Sequence, residues 1–127
     1  MKILVVDDES IVLDSCQLVL RAEGFEVLLL PSANEALKAM EKNDFAILLV
    51  DLKMPGLDGI YLIREARKKQ PKIPIIAMSG YPTTETIEEA VRTGAVTFIA
   101  KPFTPDELIE KVREILQKEQ GSGDRRP

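Results

Sequence analysis

Five short apolar runs recur along the chain at regular intervals. The most uniform of them, Ala-Ile-Leu-Leu-Val at residues 46–50, stops at Asp51. A run this short, without a polar interruption, is typical of a strand buried on both faces of a parallel sheet. The five predicted strands cover residues 3–6, 25–30, 46–51, 73–78 and 96–100.

The segments between these runs carry apolar residues at helical spacing. Two of them open with the pattern of a capping box, in which Ser32 precedes Glu35 and Thr104 precedes Glu107. The predicted helices cover residues 10–23, 32–41, 59–70, 83–93 and 104–119. On the third, the buried side includes either Ala66 or Arg67, and periodicity leaves the choice open.

Strand and helix alternate five times with short connections. This order predicts an α/β fold in which five helices cover both faces of a five-stranded parallel sheet, doubly wound with right-handed crossovers. We expect one domain over residues 1–119. Residues 120–127 carry no apolar side chain and are typical of a flexible tail or linker stub.

Composition excludes several function classes. With no His and a single Cys16, the chain lacks the ligands of a zinc site, the base of a His-dependent triad and a disulfide framework. A net charge of −4 without a basic stripe argues against direct nucleic-acid binding. The chain begins Met1-Lys2 with neither a signal peptide nor a membrane span, so we expect a cytoplasmic protein without a membrane contact.

Polar residues follow four of the five predicted strands. Asp7 and Asp8 follow the first strand, Asp51 ends the third, Ser79 follows the fourth and Lys101 follows the fifth. Because parallel strands end at one edge of the sheet, these side chains should meet there. Three carboxylates repel one another unless a cation is bound, and such oxygen ligands favour Mg²⁺ or Mn²⁺. The predicted site suits phosphoryl transfer to a carboxylate.

Each of these residues also has an ordinary explanation. Asp51 and Ser79 are common turn residues. The acidic pair Asp7 and Asp8 suits a helix N-terminus, and a lysine such as Lys101 is usually solvated. Their joint placement at four strand ends favours a shared site.

Together these motifs resemble the receiver domains of two-component response regulators over residues 1–119. The resemblance implies a flavodoxin-like (CheY-like) fold. It also implies a phosphoprotein that accepts a phosphoryl group from a histidine kinase or histidine phosphotransfer protein. The matching segments are Val6-Asp7-Asp8-Glu9, residues 51–59 (Asp-Leu-Lys-Met-Pro-Gly-Leu-Asp-Gly), Ser79-Gly80, Phe98 and Lys101-Pro102-Phe103.

The resemblance implies a role for each acidic residue and for the lysine. Asp51 would be the phosphoacceptor, and Lys101 would pair with the phosphoryl group. Mg²⁺ or Mn²⁺ would be held by Asp8, Asp51 and the main-chain carbonyl of Lys53. Asp7 would act through a metal-bound water.

The same resemblance implies a conformational switch. Ser79 would move toward the phosphoryl group while the ring of Phe98 turns inward. The Lys101–Pro102 peptide bond is expected to be cis. We also predict that Lys53 and Tyr81, each two residues beyond a site residue, control the lifetime of the phosphoryl group.

The first predicted helix carries two apolar stripes. One should face the sheet, and it consists of Val12, Cys16, Val19 and Leu20. The other lies about 100° away by helical periodicity. By resemblance, the kinase or phosphotransfer protein would dock there on a monomeric receiver, over Ile11, Ser15 and Leu18, with Phe103 and Thr104 beside them.

Several alternatives stay open. Many DNA-binding receivers carry two acids at the positions that Val96 and Thr97 occupy here. In this respect the segment is more similar to single-domain phosphorelay regulators. The segment Ser79-Gly80-Tyr81 also resembles receivers of enhancer-binding transcription activators, so a receiver truncated from an activator is an alternative. A metal-dependent phosphohydrolase with an aspartyl nucleophile is another. That class uses a second acid two residues after the nucleophile, where Lys53 stands here.

Overall fold

The structure, a computed structural model, describes residues 1–53, 59–80 and 83–121. The alternation of strands and helices confirms the predicted order. The elements are β1 (Lys2–Val6), α1 (Ser10–Ala22), β2 (Glu26–Leu30), α2 (Ala33–Lys42), β3 (Ile47–Asp51), α3 (Gly59–Lys69), β4 (Ile75–Ser79), α4 (Thr84–Thr93), β5 (Thr97–Ala100) and α5 (Pro105–Gly121).

The five strands lie parallel in one sheet, in the order β2-β1-β3-β4-β5. The order reverses between β1 and β3, which confirms the flavodoxin-like topology. Val6 pairs with Val50, and Asp51 pairs with Met78, so the carboxyl ends of the inner strands align. In doubly wound sheets, ligand sites lie outside the carboxyl ends of the strands at this switch point.

Apolar side chains form a layer on each face of the sheet. One layer packs against α2, α3 and α4, and the other packs against α1 and α5. Strands β3 and β4 are buried at every position, as their apolar runs predicted. Along α1, Cys16 and Leu20 are fully buried while Val12 and Val19 pack against the same layer, which confirms the sheet-facing stripe.

One strand boundary differs from prediction for a clear reason. β4 begins at Ile75 rather than Ile73, because Pro74 has no amide hydrogen to donate to the sheet. The Pro74 carbonyl still accepts a hydrogen bond from the Leu48 amide at 3.0 Å. On α3, the buried position is Ala66, not the arginine that follows it.

Other boundaries differ by about one residue, except at α5. This helix continues to Gly121, two residues into the predicted tail. β2 begins at Glu26 rather than Phe25, because the Phe25 amide donates to the Leu20 carbonyl at the end of α1, at 3.2 Å. Outside the described residues lie the predicted loop at Pro55 and Gly56, together with Tyr81 and residues 122–127.

Across residues 1–53, 59–80 and 83–121, no helix combines the length and apolar character needed to cross a membrane.

Candidate functional site

Three carboxylates meet at the carboxyl edge of the sheet. Asp7 directly follows β1, Asp8 comes next, and Asp51 is the last residue of β3. One oxygen of each lies within 4.8 Å of the other two. Asp7 and Asp51 are buried, whereas Asp8 is exposed. We call these three residues the acidic cluster, and Asp8 gives it contact with solvent.

Main-chain amides position the two buried carboxylates. Asp7 Oδ1 accepts a hydrogen bond from the Glu9 amide at 2.9 Å, and Asp51 Oδ1 accepts one from the Lys53 amide at 3.2 Å. Both bonds come from the amide two residues further on, a turn that Asp favours. The second oxygen of each carboxylate, Oδ2, faces Lys101.

A close approach of the main chain joins the end of β3 to the start of α3. The Gly59 amide donates to the Leu52 carbonyl at 3.2 Å. A Cβ at position 59 would lie only 2.3 Å from the carbonyl oxygen of Asp51. Since no side chain fits there, glycine is required for this placement of Asp51 against α3.

Lys101 is the cation of the site. Its Nζ lies 3.0 Å from Asp7 Oδ2, 2.9 Å from Glu9 Oε1 and 3.4 Å from Asp51 Oδ2, and its side chain is mostly buried. The Lys101–Pro102 bond is cis, as the resemblance implied. Sequence reasoning missed Glu9 as a partner of Lys101. Its position as the third acid in a run after a strand is the signal that could have found it.

Burial and charge shift the pKa values in this site. Burial, reinforced by the charge of Asp7, raises the pKa of Asp51 from 3.8 to about 6, while the Lys53 amide and Lys101 act to lower it. Burial alone would lower the pKa of Lys101, but hydrogen bonds to Glu9 and Asp7 and the charges of Asp51 and Asp7 raise it. Lys101 therefore stays charged, while Asp51 ionises less readily than an exposed carboxyl.

The donor set of the acidic cluster suits a hard divalent cation. Its ligand atoms are carboxylate oxygens, which Mg²⁺ and Mn²⁺ prefer. The single ammonium of Lys101 also serves Glu9, so it does not neutralise the three clustered carboxylates. A bound cation would counteract the burial and the charge of Asp7 that together raise the pKa of Asp51.

The predicted switch residues lie on the next two strands. Asp51 pairs with Met78, so Ser79 lies one residue further along β4, where it is fully buried. The Ser79 carbonyl accepts a hydrogen bond from the Lys101 amide at 2.9 Å. Phe98 lies in β5, partly buried against the layer formed with α2, α3 and α4. The structure thus brings Ser79 to the acidic edge and places Phe98 one strand away.

A groove of about 410 Å³ opens beside the acidic cluster, between the start of α1 and the β5–α5 connection. Three of the predicted docking residues line it, namely Ile11, Ser15 and Phe103. The ion pair between Glu9 and Lys101 forms part of the same lining. The groove and the acidic cluster therefore share a wall.

Two predicted docking residues lie outside this lining. Leu18 is exposed on α1. Thr104 caps α5, where its Oγ1 accepts from the Glu107 amide at 3.1 Å and its own amide donates to Glu107 Oε1 at 2.8 Å. A larger cavity, about 570 Å³ at the amino ends of β1 and β2, contains none of the predicted site residues.

These features define a class of protein, an α/β protein with an acidic, cation-suited site at the switch point of its sheet. The family model of the response regulator receiver domain matches residues 3–113. The chain therefore belongs to the response regulator receiver domain family. Receiver domains serve two-component signalling and bind Mg²⁺ at an acidic pocket, and the acidic cluster fits this description.

Individual relatives agree with this assignment. The chain is 34% identical over 116 residues to the transcriptional regulatory protein FixJ of Bradyrhizobium diazoefficiens, covering 91% of this chain and 57% of FixJ. It is 37% identical over 123 residues to the hydrogenase transcriptional regulatory protein HoxA of Cupriavidus necator, covering 96% of this chain and 25% of HoxA. The chain thus spans between a quarter and about three fifths of these curated relatives.

A solved structure matches the whole fold. The response regulator receiver domain protein (CheY-like) from Methanospirillum hungatei superposes with a TM-score of 0.91 at 35% identity, and the match covers 95% of this chain and 97% of that chain. The receiver fold is therefore shown by sequence and by structure.

Proposed function

We propose that this receiver domain accepts a phosphoryl group on Asp51 and thereby switches partner binding in a two-component system or phosphorelay. The observation that carries the proposal is the placement of Asp51. It is a buried carboxylate at the switch point of the sheet, inside the acidic cluster and 3.4 Å from Lys101 Nζ. A carboxylate there can act as a nucleophile whose product oxygens meet a positioned ammonium.

In the proposed reaction, a carboxylate oxygen of Asp51 attacks the phosphorus of a phosphohistidine on a kinase or phosphotransfer protein. The O–P bond forms as the P–N bond breaks, and the electron pair of that bond returns to the imidazole nitrogen. The N–H groups of Lys101 bind the phosphoryl oxygens, over which negative charge spreads. The hydroxyl of Ser79, at the end of the neighbouring strand, donates to one of these oxygens.

We assign the cation site to Asp8, Asp51 and the main-chain carbonyl of Lys53, with Asp7 binding through a water. The spacing of the three carboxylates supports this assignment, as does the turn that joins Asp51 to Lys53. When bound, Mg²⁺ or Mn²⁺ supplies positive charge against the carboxylates and the transferred phosphoryl group.

The output is a switch rather than turnover of a substrate. Once Asp51 is phosphorylated, Ser79 moves toward the phosphoryl group and the Phe98 ring turns inward. The partial burial of Phe98 supports this movement, because the ring has both a protein side and a solvent side. We propose no catalysis beyond the domain's own phosphorylation and dephosphorylation.

The proposed phosphodonor docks beside the acidic cluster, on a docking surface made up of Ile11, Ser15, Leu18, Phe103 and Thr104. The high exposure of the two large apolar residues on α1, 72% for Ile11 and 75% for Leu18, supports this surface. We further propose that the domain acts as a monomer in the cytoplasm. Its acidic balance and its buried, free Cys16 fit this setting.

A receiver joined to the effector domain of a transcription activator is the second candidate arrangement. The length of the relatives favours it, since FixJ and HoxA are transcriptional regulators of which the chain spans only a part. The reading frame beyond Pro127 would distinguish the arrangements. A phosphohydrolase is disfavoured because Lys53 occupies the position of the second acid in that class. Hydrolysis of small phosphomonoesters with turnover would support the phosphohydrolase hypothesis instead.

Labelling by acetyl phosphate in Mg²⁺ tests the proposed function. Intact-mass spectrometry should show one acid-labile phosphoryl group on the wild type and none on Asp51→Asn. The matched control is Asp44→Asn, an exposed aspartate in the connection before β3, which should be labelled like the wild type. Labelling of Asp51→Asn at the wild-type rate would refute the assignment.

A further inference from the structure

Glu9 differs from the other acids around Lys101. Among the described residues, three carboxylates lie within 3.4 Å of Lys101 Nζ, and the Glu9 contact is the shortest at 2.9 Å. The side chains of Asp7 and Asp51 are 0% and 3% exposed, whereas that of Glu9 is 56% exposed. Glu9 is therefore the partner of Lys101 that can turn away into solvent.

The Glu9 side chain does not hold the start of α1. Glu9 occupies the N-cap position, but its side chain makes no capping hydrogen bond. Its main chain does this work, because the amide donates to Asp7 Oδ1 and the carbonyl accepts from the amides of Val12 and Leu13. A change confined to the Glu9 side chain should thus leave the helix start intact.

The number of donors on Lys101 limits what the site can bind. An ammonium has three N–H groups, and three carboxylates surround this one. A phosphoryl group on Asp51 needs at least one of these donors. Asp7 is fully buried and held by a main-chain amide, and the donor facing Asp51 already serves the carboxylate that is phosphorylated. The further donor that can become available is therefore the one facing Glu9.

We propose that Glu9 is a positioning residue that occupies, in the resting state, the Lys101 donor that the phosphoryl group takes. This inference rests on the proposed function of Asp51. Phosphorylation displaces the Glu9 carboxylate into solvent, and hydrolysis lets it return. Glu9 thereby opposes the phosphorylated state, both by competing for Lys101 and by placing a negative charge beside the incoming anion.

The chemistry affected is phosphorylation by a small anionic donor and the subsequent hydrolysis. With acetyl phosphate, the bond from Asp51 to phosphorus forms as the bond from phosphorus to the acetyl oxygen breaks, and acetate leaves with the electron pair. In hydrolysis, water attacks phosphorus, Asp51 leaves as a carboxylate and the proton of the water passes to solvent. Removing the Glu9 charge should favour the first reaction and slow the second.

The test compares Glu9→Gln with the wild type and with Glu114→Gln. The control changes net charge equally at an exposed position of α5, away from the site. We expect Glu9→Gln to be labelled by acetyl phosphate roughly three- to tenfold faster, as expected for removing one partly exposed charge a few ångströms away. Its phosphoryl half-life should lengthen by a similar factor. Glu9→Asp, which keeps the charge, should lie near the wild type.

Ionic strength separates charge from structure. Near 1 M salt the Debye length is about 3 Å, so the advantage of Glu9→Gln in labelling rate should shrink markedly. Equal or slower labelling of Glu9→Gln, a gain that salt does not reduce, or the same gain in Glu114→Gln would each overturn the inference. Failure of the wild type to be labelled at all would instead count against the proposed function.

Discussion

At Asp51, burial and neighbouring charge oppose ionisation of the proposed nucleophile. Its side chain is 3% exposed, and burial together with the charge of Asp7 raises its pKa to about 6. Lys101, shared with Asp7 and Glu9, offsets this effect only in part. A divalent cation in the acidic cluster would favour the ionised form, so cation binding and the readiness of Asp51 to react are linked.

The raised pKa predicts a stability difference between the wild type and Asp51→Asn in EDTA. Because the native pKa of about 6 exceeds the ordinary value of 3.8 for an exposed Asp, the native state binds more protons between these values. Stability is therefore lost as the pH rises through that window. At neutral pH, Asp51→Asn should be the more stable by on the order of 1–3 kcal/mol.

Urea unfolding across this pH range measures the difference. The gap between Asp51→Asn and the wild type should close as the pH falls toward the lower of the two pKa values. Asp44→Asn, at an exposed position, should show no such pH-dependent gap. A gap of constant size at every pH would contradict the prediction.

Residue types and the predicted parallel arrangement of the strands were enough to predict that Asp7, Asp8, Asp51 and Lys101 meet, because parallel strands share their carboxyl edge. They were not enough to find the contact between Glu9 and Lys101. That contact joins side chains 92 residues apart and depends on their rotamers. The burial that raises the pKa of Asp51 likewise arises only when the packed elements surround it.

Among the elements, helix starts were predicted well because their signals act over three residues. At α5, both hydrogen bonds of the capping box between Thr104 and Glu107 are present. At α2, Ser32 Oγ accepts from the Glu35 amide at 3.3 Å, but it also donates to Glu35 Oε2 at 3.0 Å, so a side-chain pair replaces the second bond of the box. Strand starts depend on distant pairing partners and were predicted less accurately.

Arg67 is an element-scale feature that periodicity could not reveal. Its Nη1 donates to the carbonyls of Pro71 at 2.8 Å and Ile73 at 2.7 Å, and its Nη2 donates to that of Gly94 at 2.5 Å. One guanidinium thus joins the end of α3 to the approach to β4 and to the turn between α4 and β5. Helical periodicity made Ala66 and Arg67 equal candidates for the buried side of α3. The structure buries Ala66 and places Arg67 where its guanidinium reaches these three carbonyls.

Arg67→Met should therefore destabilise the domain. The substitution keeps an extended apolar stem but leaves the partly buried carbonyls of Ile73 and Gly94 without this donor. A buried unsatisfied group costs about 1–3 kcal/mol. We expect a loss of about 2 kcal/mol in urea unfolding, with a lower midpoint and an unchanged slope. Arg64→Met, an exposed arginine of the same helix, is the control. Equal stability of the two variants would show that the three hydrogen bonds contribute little.

For the whole molecule, the residues alone predicted a parallel sheet with helices on both faces. The strand order β2-β1-β3-β4-β5 came from the resemblance instead, because the hydrophobic pattern does not specify which strands are neighbours. The motifs at the strand ends did specify it through the resemblance, and a solved receiver domain superposes on this topology with a TM-score of 0.91. A few site residues therefore predicted the strand order, which the pattern of the longer amphipathic helices did not.

Cation binding should stabilise the whole domain. A ligand at about 100 times its Kd adds roughly 2.7 kcal/mol to the stability of the state that binds it. We expect Mg²⁺ to raise the melting temperature of the wild type and Asp8→Ala to lose most of this response. Without Mg²⁺, Asp8→Ala should be at least as stable as the wild type, because a like charge has been removed. Asp14→Ala removes an exposed acid on α1 and should keep the full response to Mg²⁺. If Asp14→Ala also lost the response, the effect of Mg²⁺ would depend on the net charge of the domain and not on a specific site.

The docking surface leads to a prediction about the molecule and its partner. Ile11 and Leu18 are the large apolar residues exposed on α1, and Ile11 lines the groove that shares a wall with the acidic cluster. A protein that brings a phosphohistidine to Asp51 has to approach this edge, and transient contacts of this kind are small with an apolar centre. Ile11→Ala and Leu18→Ala should therefore slow phosphotransfer from a histidine kinase selected by phosphotransfer profiling.

Phosphorylation by acetyl phosphate should be nearly unchanged in both variants, because a small donor needs the site but not the surface. Val91→Ala and Val96→Ala provide matched controls, since these residues are 51% and 50% exposed and lie at α4 and just before β5. Loss of both reactions in Ile11→Ala would indicate damage to the fold or the site. Full phosphotransfer to Ile11→Ala and Leu18→Ala would mean that the kinase approaches Asp51 from another side, so the ratio of the two rates decides where the partner binds.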